Sequence, residues 1–303
     1  MDRLKEMFID YIDDEKKYSN HTVIAYSNDL EEFLIFIKNL NINEIKSIDY
    51  STIRQYLTVL YNKNYTKKTI SRHISTLRSF FKYLLKTKVI NKNPMTLVSN
   101  PKPDKKLPNY LHSKELAELL EVPNINTPLG FRNKLIIELL YSTGIRVSEL
   151  VNIKIQDINF FEMSIKVMGK GSKERYVIFG NVLKKMLIEY LNDQRLHLLK
   201  GKTGDCLLIN KNGTNLSDRG VRLIIDQIVK KSSLSKKVSP HVIRHTFATE
   251  MLNNGADLKI VQELLGHSNL STTQIYTHIS NERLREVYLD NHPRAKKGGK
   301  NNG

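Results

Sequence analysis

The sequence predicts a mainly α-helical protein of two domains with one small β-hairpin, and three observations carry that expectation. Apolar residues recur at helical spacing in one segment after another. A proline-rich stretch near residue 100 breaks the periodicity, and residues 160–179 alternate with period two around a pair of glycines. The 303 residues suffice for two ordinary domains, each able to bury its own core.

Residues 1–92 read as a helical domain. Leu4, Met7, Phe8, Tyr11 and Ile12 open the pattern, and Val23, Tyr26, Leu30, Phe33, Leu34 and Ile37 repeat it over residues 22–40. Asp49 or Ser51 can cap a third helix, TIRQYLTVLYNKN. A fourth, residues 69–88, carries the stripe Ile70, Ile74, Leu77, Phe80, Phe81, Leu84 and Leu85. Its other face offers Lys67, Lys68, Arg72, His73, Ser75 and Arg78, groups that could meet a DNA backbone or base edges or simply form a solvated basic face. Residues 93–108 then read as a linker: NKNPMTLVSNPKPDKKLP, from Asn91, holds four prolines and no period, and Lys102, Lys105 and Lys106 could follow phosphates.

The second domain is expected over 109–290. A helix beginning near Ser113 carries Leu116, Leu119 and Leu120, and another, FRNKLIIELLYS, ends at Thr143-Gly144. Ser148 can cap the next short helix, which leaves Arg146 at a junction facing a cleft. In the hairpin, Gly169 and Gly171 mark the turn around Lys170, with Lys173 and Arg175 beside it as further candidates for DNA contact. It is no P-loop, since GxxxxGK[ST] is absent. Helices are expected again over 182–198 and 217–229, with a strand at 206–210 between them. The tail 291–303, charged and Gly-rich, is expected to be disordered.

The chemistry gathers between Ser239 and Thr277. Ser239 is a good N-cap and Pro240 suits the first helical position. His241, Arg244 and His245 then share one helix face, while Phe247, Met251 and Leu252 can face a core. Asp257 caps a second helix, LKIVQELL, that stops at Gly266, next to His267; Ser271 can start a third that carries Tyr276. A guanidinium fork, imidazoles and a phenol suit a phosphodiester, because they hold its oxygens, move protons and supply an oxygen nucleophile. A zinc reading of His241 and His245 is weaker, since the HExxH glutamate is missing.

Composition agrees. With 48 Lys and Arg against 31 Asp and Glu, the formal charge is +17, which favours a polyanion such as nucleic acid. The single cysteine, Cys206, lies in an apolar setting and reads as a small core residue in a reducing compartment. No apolar run approaches the roughly 20 residues of a spanning helix, and the N-terminus lacks a signal-peptide core, so no membrane insertion and a cytoplasmic location are expected.

STGIRVSEL, VMGKGSKER, HVIRHTFAT, LLGHSNLSTTQIYTH and NERLREVYLDNHPRA together resemble the boxes of the tyrosine recombinases, of the phage integrase family, and among them the bacterial Xer type. The resemblance implies a helical, SAM-like core-binding domain and a catalytic domain that close on DNA as a C-shaped clamp. It implies site-specific recombination of double-stranded DNA through a 3′-phosphotyrosyl intermediate, without metal, ATP or other cofactor. Carried over position by position, the catalytic set falls on Arg146, Lys170, His241, Arg244, His267 and Tyr276, with Tyr276 as nucleophile. The one local departure is Ile243 where many relatives carry Leu.

The same resemblance implies a homo- or hetero-tetramer on two DNA sites, with a second Xer-type recombinase or a division-linked translocase as partners, and resolution of chromosome dimers before division. The segment after Tyr276 is expected to dock on a neighbouring protomer. A mobile-element integrase or resolvase uses the same chemistry, and an accessory DNA-binding protein with a silent site is the alternative from another class. A chain that starts directly with its helical domain favours the housekeeping role.

Overall fold

The computed structural model describes residues 1–102, 110–169, 174–266 and 281–295. It is mainly helical with one small sheet, and the chain divides into two compact units, Met1–Lys106 and Leu107–Gly303.

The first unit holds α1 (Asp2–Asp10), which runs on into a π-helical turn, then α2 (Asn20–Asn39), α3 (Tyr50–Asn62) and α4 (Lys67–Lys86). Local chemistry sets the starts. The Asp49 carboxylate accepts the Thr52 N–H at 2.8 Å, so Asp49 rather than Ser51 caps α3. The Thr66 hydroxyl accepts the Thr69 N–H at 3.2 Å, which starts α4 at Lys67, earlier than its apolar stripe suggests. Phe8, Phe33, Tyr56, Phe80 and Phe81 fill the core, with Phe8 and Phe80 edge to face at 5.3 Å between centroids. After α4 the chain is not yet a linker. Met95 and Val98 are buried in the same core, and Arg78 donates to the Val98 carbonyl at 2.8 Å.

The second unit is organised around α6 (Pro128–Thr143). Phe131, Leu135, Ile136, Ile137, Leu139, Leu140 and Tyr141 are all buried, and so are Arg132 and Glu138 with their own partners, so this helix sits inside the unit. Around it lie α5 (Ser113–Glu121), the short α7 (Val147–Leu150), α8 (Asn181–Glu189), α9 (Arg195–Leu199), α10 (Asp218–Lys231), α11 (Pro240–Asn253), α12 (Leu258–Leu265) and α13 (Asn281–Asn291). The helix expected over 182–198 is α8 and α9 joined by a π-helical turn, Tyr190–Gln194. Strands β1 (Ile158–Asn159), β2 (Ser164–Met168) and β3 (Glu174–Ile178) form an antiparallel sheet in that order, with Val167 opposite Arg175 and Ile165 opposite Val177.

Three expectations need correction here. No strand forms at 206–210: Lys154–Cys206 and Ile209–Asn215 pair only as isolated bridges. The Arg195 guanidinium takes the carbonyls of Gly204, Cys206 and Leu207, which occupies an edge that a strand would need. Cys206 itself is half-buried, and burial pushes its thiol pKa up. Leu252 is exposed, whereas Phe247 and Met251 do face the core.

The tail expected to be disordered over 291–303 is corrected for its described part, since residues 291–295 are folded against the second unit; residues 296–303 lie outside the described residues. The fully buried His292 packs against the rings of Tyr141 at 5.0 Å, Phe247 at 5.3 Å and Tyr288 at 5.0 Å. Arg294 Nε lies 3.3 Å from Glu138 Oε1. Gly180 makes room for this segment, since a Cβ there would come within 2.5 Å of the Arg294 carbonyl oxygen. Among the described residues no helix is long and apolar enough to cross a membrane.

Candidate active site

The site is assembled where α6, α7, α11, β3 and the end of α12 meet. Gly144 ends α6 with φ +59, and a Cβ there would lie 2.5 Å from Phe247 Cδ1, so the sharp exit into Ile145 and Arg146 requires glycine. Arg146, not Ser148, occupies the N-cap of α7. Its backbone N–H donates to Glu149 Oε2 at 2.8 Å and its Nη1 donates to Glu149 Oε1 at 2.8 Å. On α11 the Ser239 hydroxyl accepts the Val242 N–H and Pro240 takes the first turn. That fixes Arg244 one turn further on, buried.

Helix α12 supplies the anchor. Asp257 caps its start, and Gly266 ends it in the left-handed region at φ +65. The carbonyls of a helix's last turn lack intrahelical partners and carry partial negative charge, which favours cations there. Three consecutive carbonyls each receive a different arginine. Arg175 Nη1 donates to Leu264 at 2.7 Å, Arg244 Nη2 to Leu265 at 2.7 Å and Arg146 Nη2 to Gly266 at 2.7 Å. Arg244 also donates to the Gly144 carbonyl at 2.5 Å, which ties α11 to the end of α6.

One carboxylate balances these cations. The Glu149 side chain is 2% exposed, and Arg175 Nη2 donates to its Oε2 at 2.8 Å. Burial alone would raise its pKa, but the Arg175 charge, the Arg146 N–H and the two guanidinium hydrogen bonds outweigh it and hold the carboxyl below its usual range. Burial, with Arg146 and Arg175 nearby, lowers Arg244 to about 10, still a cation at neutral pH. The arrangement is a fixed, metal-like cluster of positive charge suited to phosphate oxygens.

Of the six residues expected to be catalytic, Arg146 and Arg244 meet at the end of α12, and His241 is exposed in the first turn of α11. Lys170, His267 and Tyr276 lie outside the described residues. Sequence reasoning missed Glu149. Its signal was its place three residues after Arg146, the N3 position of a capping box.

The candidates for DNA contact divide. Lys67 and Lys68 are exposed in the first turn of α4, and Lys102 is exposed, whereas Lys105, Lys106 and Lys173 lie outside the described residues. His73 is corrected: it is 2% exposed, Nε2 lies 3.1 Å from Asp29 Oδ1, and Nδ1 lies 3.1 Å from the Tyr56 hydroxyl. Burial lowers its pKa, which suits a neutral ring donating to Asp29 and accepting from Tyr56. Arg72 is half-exposed with Nη1 on Asp29 at 2.5 Å, and Arg78 is half-buried against Val98. Arg175 is corrected as well: its side chain is 15% exposed and both terminal nitrogens are spent inside the protein. Among the described residues no group of three or more His, Cys, Asp and Glu could hold a metal ion.

Comparison with known proteins gives the same direction. Residues 109–283 match the model of the phage integrase family, and residues 6–88 match the phage integrase N-terminal SAM-like domain. Tyrosine recombinase XerC of Bacillus pumilus (strain SAFR-032) is 48% identical over 296 residues, 97% of each chain. That of Bacillus subtilis (strain 168) is 47% identical over 292 residues, 96% of each chain. Among solved structures, XerH site-specific recombinase bound to difH substrate in a pre-cleavage complex matches with TM-score 0.65 and 29% identity, over 88% of this chain and 78% of that one. A lambda integrase dimer on a core site shares the fold, with TM-score 0.68 at 17% identity over 92% of this chain and 99% of that one. The chain therefore belongs to the phage integrase family as a site-specific tyrosine recombinase of the Xer type, an enzyme that breaks and rejoins double-stranded DNA within a multimeric complex.

Proposed function

We propose that this recombinase resolves chromosome dimers in the cytoplasm before cell division, with Tyr276 as its nucleophile. The observation that carries the chemistry is the pair Arg146 and Arg244 on adjacent carbonyls at the end of α12, immediately before His267 in the chain. The two guanidiniums would hold the non-bridging oxygens of the scissile phosphate and stabilise the charge that builds on phosphorus. The Tyr276 oxygen attacks phosphorus and the bond to the 5′-oxygen breaks, leaving a 3′-phosphotyrosyl ester. Lys170 gives its proton to the departing 5′-oxygen, His241 takes the phenolic proton, and His267 donates to the phosphate. A partner strand's 5′-hydroxyl then reverses the step, so neither ATP nor a metal is consumed. The biological role rests on the relatives named XerC, which this chain matches along almost its whole length.

Assembly follows from the same reading. Four protomers, of this chain alone or with a second Xer-type recombinase, would act on two DNA sites, with a division-linked translocase as activator. Lys67, Lys68 and Lys102 are the exposed cations proposed to contact the backbone.

A covalent trap tests both chemistry and role. Protein mixed with fragmented host DNA is quenched in detergent, and fragments carrying protein at their 3′ ends are sequenced, with Tyr276→Phe in parallel and EDTA in a third sample. The expected result is enrichment at one chromosomal locus, absent in Tyr276→Phe and unchanged by EDTA. Enrichment at the ends of a mobile element would overturn the role and keep the chemistry. A Tyr276→Phe protein that still forms adducts would overturn the assigned nucleophile.

A further inference from the structure

We propose that Arg175 is a positioning residue that neutralises Glu149 and so leaves the charges of Arg146 and Arg244 available to the scissile phosphate. The inference deepens the recombinase reading above and rests on it. Sequence chemistry placed Arg175 among the DNA contacts, yet the guanidinium lies inside the second unit and touches two of its elements at once. One terminal nitrogen donates to the Leu264 carbonyl at the end of α12, the other to Glu149 on α7, both while the residue is anchored in β3 opposite Val167.

Charge balance shows why this matters. Glu149 touches Arg146 and Arg175, and its charge also reaches Arg244; three guanidiniums less one carboxylate leave a net charge of two. That surplus suits a phosphodiester that gains a further negative charge as it becomes pentacoordinate. Without Arg175 the carboxylate would have only Arg146 as a hydrogen-bonded cation. Glu149 would then grip Arg146 at the expense of the phosphate, and a half-cancelled site would face the growing charge.

Geometry argues the same way. Arg175, Arg244 and Arg146 dock on carbonyls 264, 265 and 266 in turn, so removing the first loosens the platform under the other two. The fit is close: a Cβ on Gly266 would lie 2.7 Å from Arg175 Cδ and 2.8 Å from its Nε. The glycine that ends α12 is thus also the floor on which the Arg175 side chain lies.

Single-turnover cleavage of a nicked duplex tests this, using the sequence recovered by trapping wild-type protein. At saturating protein, Arg175→Gln should cleave about 10²-fold more slowly, with duplex affinity and its salt dependence unchanged. Adding Glu149→Gln to Arg175→Gln removes the unbalanced charge, so the double variant should cleave faster than Arg175→Gln alone. Arg175→Lys keeps the charge without the fork and should recover at least a third of the lost rate, on a logarithmic scale. If Arg175→Gln does not fold, Arg175→Lys is compared with wild type, where slower saturated cleavage at an unchanged salt slope supports the proposal and unchanged cleavage with a lower salt slope overturns it. A salt slope lowered by about one with unchanged saturated cleavage would make Arg175 a phosphate contact and overturn the proposal. So would a double variant no faster than Arg175→Gln, or Arg175→Lys as slow as Arg175→Gln. Wild-type protein forming no covalent adduct on any DNA, in host-cell extract as well as alone, would overturn the active-site chemistry assigned above, and the inference with it.

Discussion

Each unit buries a carboxylate beside an arginine, at the same 2% exposure, and the two behave in opposite ways. Asp29, on α2, receives Arg72, His73 and the Thr76 hydroxyl from α4. Burial pushes its pKa up, and His73, Thr76 and Arg72 offset this only in part. Glu149 feels the same burial, but Arg175, the Arg146 N–H and both guanidiniums hold its pKa down. Burial is equal, so the difference lies in the partners. Asp29 has a single guanidinium, itself half-exposed to solvent, and works as a brace between helices. Glu149 has two guanidiniums and a backbone donor, and organises a cluster of charge.

The largest expected break is Glu149→Ala. It leaves Arg146 and Arg175 without their shared counter-charge in a buried site, which should cost about 3–5 kcal/mol in urea unfolding. Asp29→Ala removes the acceptor of Thr76 and of His73 and should cost about 1–3 kcal/mol, with cleavage on saturating DNA retained. A cost for Asp29→Ala equal to that of Glu149→Ala would erase the distinction.

Acid sharpens the contrast further. The folded pKa of Glu149 is lowered, so its contribution is present above the unfolded value of about 4.3 and is lost as pH falls below it. Asp29 is raised, so its contribution is present below the unfolded value of about 3.9 and is lost as pH rises through the folded value. Subtracting Glu149→Gln and Asp29→Asn from wild type in unfolding measured between about pH 5 and 3 should give differences of opposite sign, each at most ~1.4 kcal/mol per pH unit. The smallest effect belongs to an exposed cation: Lys68→Ala should lower the salt slope of DNA binding by about one and leave stability unchanged.

What the sequence made legible was local. Ser239, Asp49, Asp257 and Gly266 sit where cap chemistry puts them, because a cap is decided by a side chain and the backbone two or three residues away. His73 shows a reading led by residue type against spacing. It falls three residues after Ile70 and four before Leu77, squarely on the buried stripe, but its imidazole suggested the polar face. Arg175 is similar: period two places it on the face of the buried Val177. Its partners, Glu149 and Leu264, are 26 and 89 residues away, and no local rule reaches them. The chemistry of Arg146 and Arg244 was readable as residue types; the helix end on which they converge was not.

The missing side chain at Gly180 has a practical consequence. Because the backbone of Arg294 and Ala295 seats against that glycine while His292 fills a pocket of rings, the stretch 292–295 works as a plug for the second unit. A purification handle on the amino terminus leaves the plug alone. A carboxy-terminal fusion that replaces those residues would uncork an aromatic pocket, and a poorly soluble product would then reflect the cloning junction rather than the enzyme.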